Sequence, residues 1–146
     1  MSLKDKLMQD LKAAMKEKDK IRKSVITMVR ASIKQYEVDN RTEIKDEEIL
    51  ELISKQLKQR RDAIPEFEKG NRQDLIEEYQ KEIEILLDYL PKQLTEDEIT
   101  EIVKETIKEL GVEGPKYMGK VMGALMPKVK GKADGKLVSK VVKELL

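Results

Sequence analysis

The chain has no cysteine and no histidine. The first absence excludes disulfides, thiolate nucleophiles and zinc held by cysteine. The second removes the only side chain whose unperturbed pKa lies near neutrality, and with it Ser-His or Cys-His nucleophiles and histidine metal sites. Tryptophan is missing too, and the few aromatic residues, Tyr36, Phe67, Tyr79, Tyr89 and Tyr117, fall mostly on apolar stripes, so base stacking is not expected to dominate any nucleic-acid contact. No run approaches the roughly 18 apolar residues of a membrane span. The opening Met1-Ser2-Leu3-Lys4-Asp5-Lys6 lacks the apolar core of a signal peptide. These features predict no membrane contact and a cytoplasmic location.

What is present is charge and helical periodicity. Of 146 residues, 39% are apolar and 40% charged, with a net charge of +1. That near-neutrality hides three zones: residues 1–30 carry nine basic and four acidic side chains (+5), residues 31–110 thirteen and twenty-two (−9), and residues 111–146 eight and three (+5). Two basic ends on an acidic middle give a dipolar chain, whose lysine-rich ends serve either as solvated surface or as contacts for an anion such as phosphate.

Apolar residues recur at helical spacing almost throughout, which predicts an all-α fold. The first helix presents Leu3, Leu7, Leu11 and Ala14 to one side, and the second Ile21, Val25, Met28, Val29, Ser32 and Tyr36. A third starts near Asp46, with Asp46, Glu47 and Glu48 at the positive end of its dipole, and continues through Ile49, Ile53, Leu57 and Ile64. Pro65 is expected to kink or end it, Gly70-Asn71 to stop it, and Asn71 with Asp74 to open a fourth helix carrying Leu75, Tyr79, Ile83, Leu86 and Leu90. Thr95-Glu96-Asp97-Glu98 has the form of a capping box for a fifth helix that ends at Gly111. A sixth, from about Tyr117 to Met126, should stop at Pro127, and a seventh follows Asp134 with Leu137, Val138, Val141, Val142 and Leu145 inward. The expected organisation is a four-helix N-terminal part, residues 1–93, and a small three-helix C-terminal part, residues 94–146.

The most informative stretch is Met118 to Lys136, where glycine, methionine and lysine crowd together. Gly119 and Gly123 are four apart and share a helix face, a spacing that suits close packing of a neighbouring helix and otherwise lets a ligand approach. Lys128, Lys130, Lys132 and Lys136 flank a loop marked by Gly131 and Gly135, where ammonium groups and backbone amides could meet a phosphate. The pattern is not a phosphate-loop motif, since no strand precedes it and the spacing differs. Met118, Met122 and Met126 form either core or an adaptable stripe for a partner helix. Lys58, Arg60 and Arg61, close to Asp62, Glu66 and Glu68, are expected to form a salt-bridged surface. The abundant glutamates, Glu77, Glu78, Glu82 and Glu84 among them, require no catalytic explanation, because bundle metal sites built on Glu-x-x-His elements cannot form here.

Met118 through Val138, Arg60-Arg61-Asp62 with Glu66-Phe67, and Leu86 to Leu94 around Tyr89-Leu90-Pro91 together resemble the YqeY family over nearly the whole chain. That family is similar to the tail domain of GatB, the subunit of the glutamine-dependent amidotransferase that amidates misacylated tRNA, and to appendages of some glutaminyl-tRNA synthetases. The resemblance implies a helical part joined to a three-helix part and a role near tRNA. It implies no catalysis, cofactor or metal, because the kinase and transamidase chemistry belongs to a separate domain. The residues matching the tail pattern are Gly119, Lys120, Val121, Met122, Gly131, Lys132 and Ala133, of which Lys120 and Lys132 could face phosphate.

The expectation is thus a non-catalytic tRNA-binding or amidotransferase-associated module using Lys120, Lys128, Lys130, Lys132 and Lys136, with tRNA, an aminoacyl-tRNA synthetase or an amidotransferase component as partner. The alternative is a protein-interaction adaptor acting through the methionine stripe or the acidic helices.

Overall fold

The computed structural model describes residues 2–146. Helices account for all regular structure among them: α1 (Leu3–Glu17), α2 (Lys20–Asn40), α3 (Asp46–Lys69), α4 (Gln73–Leu87), α5 (Glu96–Leu110), a single 3-10 turn (Pro115–Tyr117), α6 (Met118–Val129) and α7 (Gly135–Leu145). The chain divides into two compact units, one ending at Leu90 and the other running Pro91–Leu146.

In the first unit, Ser2 and Asp19 cap α1 and α2 by accepting from the Asp5 and Arg22 amides, and the two helices form an antiparallel hairpin closed by Lys18 in the left-handed conformation. Helix α2 packs on α1, α3 and α4 and is buried over a wide arc. The residues it buries are therefore Val25, Ile26, Val29 and Ile33, while Met28, expected inside, is 48% exposed. Leu7, Ile49, Ile53, Leu57, Ile85, Leu86 and Tyr89 complete this core.

Several helix boundaries differ from the sequence expectation, α4 among them, which ends at Leu87 short of Leu90, while α3 stops at Gly70 as expected. Helix α3 continues through Pro65 to Lys69. The proline ring lies on the exposed side, and the last turn is held by packing on α4, where Phe67 meets Tyr79 edge to face at 4.9 Å. Asn71 does not cap α4 but takes the left-handed conformation (φ 55°), which its short polar side chain tolerates. Arg72 occupies the cap position and grips Asp74 with two hydrogen bonds of 3.1 Å.

In the second unit the Thr95–Glu98 capping box forms in both directions, at 3.2 Å each way, and holds the Glu98 carboxyl below its usual pKa range through those bonds to Thr95. Gly111 ends α5 in the left-handed conformation. The core is aliphatic: Ile99, Val103, Val121, Leu125, Val129, Val138, Val141 and Val142. Helix α6 runs past Pro127 because Val129, in the turn beyond it, is buried in that core and the Lys130 amide still reaches the Met126 carbonyl at 2.9 Å.

Candidate functional site

At 100° per residue, Val121, Leu125 and Val129 fall on one stripe of α6 and turn it into the core, with Met118 and Met122 packed beside them. Gly119 and Gly123 precede Val121 and Leu125 by two residues each, about 200° around the helix, and so face away from that core. Both are exposed, and a Cβ built on either would meet nothing within 4 Å. The expectation of close-packing glycines is corrected accordingly: no neighbouring helix comes near them within this unit. A helix-interior glycine costs about 0.5–1 kcal/mol relative to alanine, and the fold offers no compensation at these two positions.

The same outward face carries Lys120, Met126 and Pro127, all exposed. Pro127 has no N–H to offer the Gly123 carbonyl four residues earlier, so this strip presents an acceptor as well as a side-chain-free surface. A stripe repeating every fourth residue drifts around a 3.6-residue helix. That drift carries the methionines from the core at Met118 and Met122 to solvent at Met126, which is 45% exposed. They do not form a continuous apolar patch, and the adaptor reading through this stripe loses its support.

The loop between α6 and α7 is tied down by its own unit. Gly131 takes φ 74°, its carbonyl accepts from Gln93 Nε2 at 2.9 Å, and the Lys132 carbonyl accepts from the Leu94 amide at 2.7 Å. The Lys132 amide donates to the Val129 carbonyl, and the Lys136 amide to the Asp134 carboxylate at 3.0 Å. Both of these amides are thus spent on closing the turn, and Asp134 places a carboxylate at the positive end of α7. Those two amides are not available to a phosphate.

One of the lysines is taken up by its own unit. Lys128 turns toward α5, donating to Thr106 Oγ1 at 3.0 Å and pairing with Glu109 at 3.3 Å. Lys120, Lys130, Lys132 and Lys136 are exposed, Lys130 and Lys136 with interactions of their own. Lys120 lies ten residues before Lys130, about 15 Å along the helix direction.

Elsewhere, the expected salt-bridged surface around Arg60 is replaced by a buried cluster. Arg60 is 5% exposed; its guanidinium donates to the Gln56 carbonyl at 3.2 Å and to Met28 Sδ at 3.4 Å, and lies 3.6 Å from Glu82. Gln56 Nε2 donates to Ser32 Oγ at 3.0 Å. Burial raises the Glu82 pKa above the ordinary carboxylate value, against the attraction of Arg60. The legible signal was register: Ile49, Ile53, Gln56 and Arg60 continue one face of α3. A second polar contact unforeseen from sequence joins Tyr89 Oη to Asp10 Oδ2 at 2.5 Å; burial, then the hydrogen bond to Asp10, push the phenol pKa up.

No helix among the described residues is long and apolar enough to cross a membrane, and no group of three or more His, Cys, Asp or Glu that could hold a metal ion occurs among them.

The family model of Yqey-like proteins matches residues 4–146. Among curated relatives, altered inheritance of mitochondria protein 41 of Lachancea thermotolerans is 41% identical over 112 residues, 75% of this chain and 60% of that protein. The protein of the same name from Kluyveromyces lactis is 44% identical over 84 residues (57% and 45%), and that from Pyrenophora tritici-repentis 35% identical over 118 residues (80% and 65%). The chain therefore spans less than two thirds of the length of each of these relatives. All three names carry the word mitochondrial, which overturns the cytoplasmic expectation: that expectation rested on apolar segments, and organelle-import addresses are not apolar cores. With its model matched from residue 4 to the last residue, the chain belongs to the YqeY family.

Proposed function

We propose that the protein is a non-catalytic tRNA-contacting module, associated with amidotransferase or aminoacyl-tRNA synthetase machinery, whose contact surface is the outward face of α6 and the lysines that follow it. The observation that carries this reading is the pair Gly119 and Gly123, exposed on a helix with open space above them. Glycine there allows a sugar-phosphate backbone to lie against the helix, and Lys120, Lys130, Lys132 and Lys136 supply countercharge in a region of net charge +5. Shape and charge, without stacking, fit the half-buried setting of Tyr117, the one aromatic residue of this unit.

Fluorescence-detected titration of the whole protein with bulk tRNA, between about 50 and 200 mM salt, tests it. Two phosphate contacts, from Lys120 and Lys132, predict a slope of log K against log salt of roughly −2, lowered by about one in Lys120→Ala. Lys128→Ala, whose side chain is engaged with Thr106 and Glu109, should leave the slope unchanged. Salt-independent affinity, or no affinity at the lower salt, contradicts the proposal.

A further inference from the structure

We propose that the open groove between α1 and α2 docks an acidic amphipathic helix of a partner protein. This groove, of about 590 Å³, lies wholly in the first unit. Thr27 and Ala31, one turn apart on α2 and both exposed, keep its α2 side low, and Met8 of α1 faces them. Seven residues after Met8, and hence on the same side of α1, Met15 is 55% exposed. Two antiparallel helices with small and flexible apolar residues between them form the seat a third helix fills, and methionine adapts to its side chains.

Charge selects the occupant. Arg30 and Lys34 line the α2 wall and Lys4 the α1 wall, in a segment, residues 1–37, with ten basic and five acidic side chains. Lys4 is neutralised by Glu37 at 2.7 Å, which the Ile44 amide holds at 3.1 Å, and Glu43 lies 3.9 Å from the same ammonium, so the cationic side of the rim is Arg30 and Lys34 on α2. A cationic rim over an apolar floor complements a helix with leucine-like residues on one face and carboxylates flanking them. Nucleic acid would match the rim and leave the floor uncovered, so a protein helix is the better fit. Site and partner class are separate from the α6 surface, and either can fail alone.

The test is a titration of the whole ¹⁵N-labelled protein with three synthetic peptides: one with leucines on one helical face and glutamates on the other, the same composition scrambled, and one with lysines for the glutamates. The first should shift the Met8, Thr27 and Ala31 amides and bind about tenfold more tightly than the others. Arg30→Glu with Lys34→Glu, both away from the core, should weaken it about tenfold, and Ala31→Trp should block it by filling the floor. Equal binding of the scrambled peptide, shifts confined to residues 91–146, or stronger movement of the same amides by tRNA or anionic lipid vesicles would overturn the proposal. So would concentration-dependent broadening of these amides without peptide, the mark of a second copy in the groove.

Discussion

The first unit buries polar residues beside its core, and the second turns two helix-interior glycines to solvent. Residues 2–90 bury Gln56, Arg60 and Glu82 beside the aliphatic core, whereas among residues 91–146 the buried polar side chain is Thr106, which bonds the Ile102 carbonyl of its own helix at 2.8 Å. In the second unit the residues that ordinary helix design disfavours, Gly119, Gly123 and Pro127, face outward. A residue that is costly where it stands and turned inward serves the fold. One that is costly and turned to solvent, with nothing packed on it, has no folding role to explain it.

The contrast can be broken most directly at Arg60. Arg60→Ala leaves Glu82 buried without its cation and should lower unfolding free energy by about 3–5 kcal/mol, read by urea denaturation. Arg60→Met with Glu82→Leu should restore most of it, because the apolar pair carries no desolvation cost. A loss below about 1 kcal/mol for Arg60→Ala, the scale of an exposed pair, would mean that the cluster is not truly sequestered. In the second unit, Thr95→Ala removes the capping box and should cost about 1 kcal/mol in the same measurement. Gly119→Ala and Gly123→Ala should each do the reverse, raising stability by about 0.5–1 kcal/mol, since each new methyl enters open space. Destabilisation by either would reveal a packing role.

The smallest effect concerns pH. Burial raises the folded pKa of Glu82, so the folded state keeps a proton that the unfolded chain releases. That contribution is fully present below the ordinary carboxylate pKa of about 4.3 and is lost as pH rises through the folded value. The stability gap between wild type and Glu82→Gln, followed by denaturation from pH 4 upward, should therefore shift against the wild type across that window. A gap moving the other way would show that the attraction of Arg60 outweighs burial.

Helical periodicity, the capping box at Thr95 and the left-handed Gly111 were legible in the sequence because each is a local pattern with a local cause. What was not legible depends on neighbours distant in sequence. Pro65 and Pro127 are strong local stops, yet Phe67 on Tyr79 and Val129 in the core hold the helix beyond each. Arg60 reads as a surface cation until Glu82 and Gln56 are found beside it. At the candidate site the sequence singled out the stretch from Met118 to Lys136, and the geometry there differs in part from what its spacing suggested. Gly119 and Gly123 share a face as expected, but only the direction of Val121 and Leu125 tells that the face is outward. The five lysines looked like one cluster because sequence spacing does not show that Lys128 bends back to Glu109.

The open glycine face of α6 is proposed to receive a nucleic-acid backbone. The decisive measurement takes tRNA affinity and thermal stability together in a Gly119→Ala, Gly123→Ala double variant. This variant should melt at a higher temperature and bind tRNA at least about tenfold more weakly, an affinity loss of about 1.4 kcal/mol, at about 50 mM salt. A variant that is more stable and binds as tightly as the wild type would contradict it.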